Sequence, residues 1–200
     1  MAIIKSGAST DQLSVDATSK AARVTIYDVR GNAAVQKATY SAGLTFTATA
    51  AGTGIFFNII GSASKTVRVQ RISFWATCAT AAVAVPALVS KRTAATTGGT
   101  ATTLTGVAHD SGSAAATAVP KFFTVLATAG TGGGTLTAQQ VSIPLTAAAA
   151  IPTNILFDRT SVQEAEGWVL RGVAECLEVN FGVTTTNAPS MTCEVRWTEE

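Results

Sequence analysis

The chain has 200 residues and a formal net charge of +2, yet only 13% of it is charged and 6% aromatic, with a single histidine, His109. That composition leaves few side chains for acid–base, nucleophilic or metal chemistry, implies no cofactor, and points away from an enzyme and toward a structural task. The length suits one large domain, able to bury roughly 70% of its unfolded surface, and the regular return of Ile, Val, Leu and Phe argues against disorder.

Residues 1–19 have weak periodicity and read as an extended N-terminal arm that docks on a neighbouring subunit. From residue 20 to 200, short runs of Val, Ile, Thr and Phe alternate with Gly, Ser, Asn and Pro clusters. This predicts a single all-β domain, an antiparallel β-sandwich of jelly-roll type. The predicted strands are Arg23–Asp28, Val35–Tyr40, Gly54–Ile60, Thr66–Ala76, Ala82–Ser90, Val119–Leu126, Gln139–Pro144, Asn154–Asp158, Gly167–Gly172, Cys176–Val183 and Met191–Thr198. Val29-Arg-Gly-Asn32 reads as a hairpin turn, because Gly and Asn tolerate positive φ. Val67 and Val69 share one phase, then Gln70 and Arg71 interrupt it before Ile72 and Phe74 resume. Such a slip suggests a β-bulge. Residues 96–103 and 127–135 read as Gly/Thr loops, and 101–118 as a long surface excursion. The alanine run 147–150 is too short for a helix and ends at Ile151-Pro152. The predicted core is Val24, Ile26, Phe56, Ile59, Val67, Val69, Ile72, Phe74, Phe123, Val125, Ile155, Phe157, Leu170, Leu177, Val179, Phe181, Val195 and Trp197.

Apolar runs such as 54–60 and 81–89 are shorter than the ~20 residues that span a bilayer as a helix. The N-terminus lacks the apolar stretch of a secretion signal. Both point to a protein made in a cytoplasm, with no membrane partner. The three cysteines, Cys78, Cys176 and Cys193, lack Cys-x-x-Cys spacing and are odd in number, against a disulfide framework or zinc site. Cys176 lies out of phase with Leu177, Val179 and Phe181, whereas Cys193 shares the apolar phase of Met191, Val195 and Trp197. The two therefore face opposite sides of a hairpin, as buried or half-buried free thiols.

The charge is uneven along the chain. Residues 1–100 hold ten Lys or Arg and three Asp, and residues 101–200 hold four Lys or Arg and nine acids. One reading is that strands from both halves intermix and cancel the imbalance. The sharper reading is self-assembly, with closed symmetry such as a trimer or ring. Lys65, Arg68, Arg71, Lys91 and Arg92 would then face Glu164, Glu166, Glu175 and Glu178 of another copy. Lys91-Arg92 is the only adjacent basic pair; with no interleaved aromatics it argues against nucleic acid as partner.

Four motifs invite chemistry. Asp110-Ser-Gly112 has the form of an aspartic-protease loop, but lacks the apolar flanks that bury a shared-proton dyad, and it is also an ordinary turn. His109 beside Asp110 is a poor base–orienter pair, since neighbours in extended chain point to opposite faces. Gly130-Thr-Gly-Gly-Gly-Thr135 has no following helix or lysine for a phosphate cradle, and reads as a flexible loop tip. Glu164, Glu166, Glu175 and Glu178 could supply the paired carboxylates of a glycosidase, but surface acids at a sheet edge are the simpler reading. Catalytic, cofactor and metal residues are accordingly expected to be none.

The stretch Val15-Asp-Ala-Thr-Ser-Lys-Ala-Ala-Arg-Val-Thr-Ile-Tyr-Asp28, continued by Arg30-Gly-Asn32, resembles segments of virion proteins of tailed bacteriophages, and Glu194-Val-Arg-Trp-Thr-Glu-Glu200 is similar in style. The resemblance implies a non-enzymatic virion protein made in a host bacterial cytoplasm. It would bind itself and the major capsid or tail proteins, as a capsid decoration or cement protein. The other readings are a collar, tail or fibre component, or a carbohydrate-binding β-module for host attachment, with Trp75 and Tyr40 as the suggestive aromatics.

Overall fold

The computed structural model describes residues 14–15, 22–23, 37–49, 52–79, 83–145, 153–158, 167–182 and 188–200. Two compact units divide the chain, 1–36 and 37–200. In the first, β1 (Ser14–Val15) pairs antiparallel with β2 (Ala22–Arg23). The expected arm, the Val29–Asn32 turn and core candidates Val24 and Ile26 otherwise lie outside the described residues.

The second unit is a β-sandwich of two antiparallel sheets. Its strands are β3 (Ala38–Thr47), β4 (Ile55–Ile60), β5 (Thr66–Cys78), β6 (Val83–Arg92), β7 (Thr100–Thr103), β8 (Val107–Ala108), β9 (Val119–Ala127), β10 (Gly134–Ile143), β11 (Thr153–Asp158), β12 (Trp168–Arg171), β13 (Cys176–Phe181) and β14 (Pro189–Glu199). One sheet runs β10-β6-β13-β4-β9-β7. The other runs β11-β5-β14-β3-β8, with β12 also paired to β5. No described helix is long and apolar enough to cross a membrane.

Alternation explains most of the core. Val67, Val69, Ile72, Phe74, Leu177, Val179, Phe181, Val195 and Trp197 are all buried between the sheets. Each such side chain contributes roughly 1.5–3 kcal/mol when fully buried. The phase slip on β5 is a bulge: Arg196 of β14 faces Arg71, but Trp197 faces Val69, leaving Gln70 as the extra residue. A second irregularity falls on β4, where Val179 faces Phe57 and Asn180 faces Ile55. It brings two consecutive rings inward. Phe56 meets Phe74 at 5.2 Å and Phe181 at 4.9 Å between centroids. Phe57 meets Phe122 at 5.1 Å, and Phe46 reaches the same ring from the opposite sheet at 5.9 Å. These tilted and edge-on contacts knit the two sheets.

Four expectations need correction. The strand predicted at Val35–Tyr40 is instead Ala38–Thr47; the small residues Ala42 and Gly43 hide its inward row of Tyr40, Ala42 and Phe46. The segments expected as loops contain β7, β8 and the first two residues of β10, Gly134 and Thr135, all largely exposed. On β9 the inward phase belongs to Phe122 rather than to Phe123 and Val125. Phe123 joins a small satellite cluster with Ile55 and Ala127, and Val125 is 43% exposed. Both phases of β9 are apolar, so alternation could not choose between them. Finally, Cys176 and Cys193 do not share a hairpin, because β13 and β14 belong to different sheets. All three thiols are free and buried. Burial raises the Cys193 thiol far above its ordinary value, with Glu194 adding to the rise.

The β9 register predicts a contrast that urea unfolding measures directly. Phe122→Ala should cost about 3–5 kcal/mol, whereas Val125→Thr should stay within about 0.5 kcal/mol of wild type. Equal losses at the two positions would contradict the register.

Candidate functional site

Two buried carboxylates and one open sheet face hold most of the polar chemistry in the described residues. Glu178 sits on β13 with its side chain on the outer face of the first sheet, yet its exposure is 0%. The cover comes from two loops. Thr93 and Ala94 donate backbone hydrogen bonds to Thr131 O, and Thr97 and Thr128 pair reciprocally. Beneath them Glu178 accepts from Arg92 Nε at 2.9 Å, from Thr96 Oγ1 at 2.6 Å and from Gly130 N at 2.6 Å. Asn58 Nδ2 donates to Thr96 Oγ1 at 2.7 Å, which orients that hydroxyl toward the carboxylate. A charge taken out of water is tolerable only with this kind of satisfaction. The Cys176 thiol lies 4.0 Å from Glu178 Oε1; burial and then that carboxylate raise its pKa, the reverse of an activated nucleophile.

The glycine run 130–135 is therefore not a free tip. It is the lid over Glu178, and three of its four glycines, Gly130, Gly132 and Gly133, are steric requirements. A Cβ on Gly130 would overlap the Ala94 carbonyl oxygen, and one on Gly133, at φ +73°, would overlap that of Lys91. Nor is Glu178 a surface acid.

Glu199, on β14, is 4% exposed. Its Oε1 accepts from Trp197 Nε1 at 3.0 Å and from the Thr117 and Ala118 amides, each at 2.9 Å. Thr117 Oγ1 donates to Oε2 at 2.7 Å, and Lys65 Nζ lies 3.4 Å away. Burial pushes this carboxyl up, but the hydrogen bonds from Ala118, Trp197 and Thr117 outweigh it and hold it below its ordinary 4.5. The carboxylate thus ties the end of the β8–β9 connection to the terminal strand.

The residues expected at subunit contacts are mostly engaged within the chain. Lys91 Nζ meets Glu175 at 2.9 Å and Val169 O at 2.9 Å; Arg92 holds Glu178. Lys65 meets Glu199, and Arg68 pairs with Glu200. The sandwich interleaves both halves of the sequence, so much of the linear imbalance cancels by intrachain pairing. Arg71 is the exception: it takes part in no ion pair among the described residues. Glu164 and Glu166 lie outside the described residues. His109 Nε2 lies 3.1 Å from Ser41 Oγ, while Asp110 Oδ1 accepts from Gly112 N at 2.8 Å in an ordinary Asx turn. Tyr40, one of the two suggestive aromatics, is buried; it stacks on Trp197 at 5.8 Å and donates to Ala114 O at 2.8 Å. Trp75 is half-buried on the outer face of the second sheet.

No group of three or more His, Cys, Asp or Glu among the described residues is placed to hold a metal ion. The chain matches no protein-family model, no curated protein sequence and no solved structure.

Two measurements test the buried carboxylates. Thr96→Val removes one hydrogen bond to a buried charge and should cost about 1.5–3 kcal/mol in urea unfolding. Gly130→Ala should cost at least as much, because the lid cannot close over Glu178. For Glu199 the folded pKa lies below the unfolded one. Its stabilisation is present above pH 4.5 and is lost as pH falls through the lowered value. The melting temperature of wild type should therefore drop below pH 4.5, and Glu199→Gln should flatten that dependence while lowering stability at pH 7.

Proposed function

We propose that this chain is a non-enzymatic structural protein of a phage virion, which binds neighbouring capsid subunits and further copies of itself as a decoration or cement protein. The single observation that carries the reading is the β10 edge. This strand pairs with β6 on one side only and closes the described sheet. Gly134–Ile143 holds ten residues with no charge and no proline, and most of 134–140 is exposed, Leu136 by 46%. Natural edges are usually protected by charge, proline or brevity; an unprotected one is a template for another strand. Beside it lies a cleft of about 470 Å³ lined by Leu136, Phe157 and Trp168 among others. A strand of a neighbouring copy laid along β10 would gain main-chain hydrogen bonds, and its alternate side chains would enter the cleft.

The strand order supports a jelly-roll reading. The sequences β4-β13-β6-β10 and β3-β14-β5-β11 give the two four-stranded halves of such a fold, and β7, β8 and β9 then stand as an insertion at the sheet edges. Jelly rolls occur in viral capsid proteins among other classes, so the architecture is compatible with the role but does not assign it. The resemblance of residues 15–32 and 194–200 to phage virion proteins points the same way. The edge, rather than charge pairing, carries the self-association in this reading, since four of the five basic residues expected at subunit contacts pair within the chain.

Sedimentation velocity tests the edge. Wild type should associate with rising concentration, and Ala138→Lys with Gln140→Lys should remain monomeric with an unchanged circular dichroism spectrum, because like charges would meet across an added strand. A double variant that associates as wild type does would remove the edge from the assembly. Quantitative mass spectrometry of purified particles tests the role itself: many copies per particle are expected, and absence from the particle would overturn it.

A further inference from the structure

The free edge of β10 has one well-matched partner among the described strands, which is β10 of a second copy. The other described edges are short or charged. β7 offers four residues and β8 two. The far edge of the second sheet is divided between β11 and β12, which carry Asp158 and Arg171. A ten-residue edge laid on any of these would leave much of its backbone without a partner.

Self-pairing also makes a demand that β10 meets. Around a twofold axis, each residue near the axis faces itself or a close neighbour in sequence. A charge there would meet a like charge across the strands, which destabilises a sheet. Gly134–Ile143 carries none. Freedom from charge is a condition of pairing β10 with itself, whereas a different partner strand would leave room for complementary charges.

The register follows from the irregularity in the strand. Pairing with β6 slips between Thr135 and Thr137 and is regular from Thr137 to Ile143. A bulge twists an edge and hinders further pairing, so the regular run sets the contact, and its centre is Gln140. Val141 and Ile143 are buried in the core. Alternation therefore turns Ala138, Gln140 and Ser142 to the outer face.

We infer that two copies pair their β10 strands antiparallel about a twofold axis at Gln140, so that their six-stranded sheets run on as one. Ala138 then faces the partner's Ser142, Gln139 the partner's Val141 and Thr137 the partner's Ile143, each pair sharing a face. The Gln140 amide both donates and accepts, so the two copies of it can bond each other across the axis. Each chain has one β10, and association through this edge closes at two. The pairing rests on the self-association proposed above and adds its partner strand, register and symmetry.

Cysteine cross-linking of the full chain under copper–phenanthroline oxidation reads the register. The three native cysteines are buried, so wild type is the uncross-linked control, and circular dichroism checks that each variant folds. Direct cross-strand partners stand about 4.5–5.5 Å apart at Cα, within disulfide reach. Gln140→Cys alone should give a disulfide dimer. Ala138→Cys alone and Ser142→Cys alone should each give about a tenth as much or less, because the same residue of the partner lies four positions along the strand, about 13 Å away. Mixing those two variants should restore the dimer. No dimer from Gln140→Cys would overturn the pairing, as would a mixture that gives no more than its components. Equal dimer from Ala138→Cys alone would overturn it in favour of parallel stacking. The virion role is read separately: particles that contain the chain but yield no Gln140→Cys dimer overturn the pairing alone, and a cross-linked dimer absent from particles overturns the role alone.

Discussion

A carboxylate buried without partners would cost several kcal/mol, and this fold meets that demand twice, at Glu178 and Glu199. The consequence reaches well beyond the two side chains. The chain has few large apolar residues outside its strands, so its long Ala/Thr/Gly connections have little hydrophobic surface with which to anchor themselves. The buried carboxylates anchor them instead. Glu178 can be satisfied only when the 93–99 and 128–133 loops lie over the first sheet. Glu199 can be satisfied only when Thr117 and Ala118 are drawn against β14. Each hydrogen bond to a buried charge contributes about 1.5–3 kcal/mol, comparable to a buried leucine. Polar pins thus stand in for apolar ones, and the glycines at 130 and 133 follow from the close approach the pins impose.

Between the sheets the rule is the ordinary one. The few aromatics are concentrated in a seam in which Phe56, Phe74 and Phe181 meet at one end and Phe46, Phe57 and Phe122 at the other. The irregularity on β4 lets both Phe56 and Phe57 reach that seam. Small residues elsewhere keep the layers close and lose little side-chain entropy on burial.

This division explains which parts of the fold were legible in the sequence. Strands that alternate large and polar residues, such as Val67–Gln70 and Leu177–Phe181, could be read with their phase, and even the bulge at Gln70 announced itself as a slip. β9 could be placed but not oriented, because Phe122 and Phe123 make both phases apolar. β7 and the start of β10 carry threonine, alanine and glycine on both faces, so no period distinguishes them from loops. Glu178 was legible only as an acid. Its burial depends on residues 48 to 120 positions away in sequence, Thr96, Asn58 and Gly130 among them, and no local pattern encodes that. A signal did exist in the glycine run: a loop needing Gly at several consecutive positions is more often packed against backbone than free. The charge imbalance between the two halves was real in sequence but is largely spent in space, since β14 and β13 bring late acids beside early lysines and arginines.

The two outer faces of the sandwich differ for the same reason. The first sheet is roofed by its pinned loops, and its polar groups are consumed beneath them. The second sheet has no such roof over Trp75, Glu194 and Gly43, and there Arg71 lies between Arg196 of β14 and Asp158 of β11 as cross-strand partners. Elsewhere in the sandwich the cations Lys65, Arg68, Lys91 and Arg92 each meet a carboxylate directly. Like charges directly opposite destabilise a sheet, and this face sets two acids, Asp158 and Glu194, among its two arginines. The uncharged β10 edge differs from both faces, because the groups it offers are backbone amides and carbonyls rather than charges.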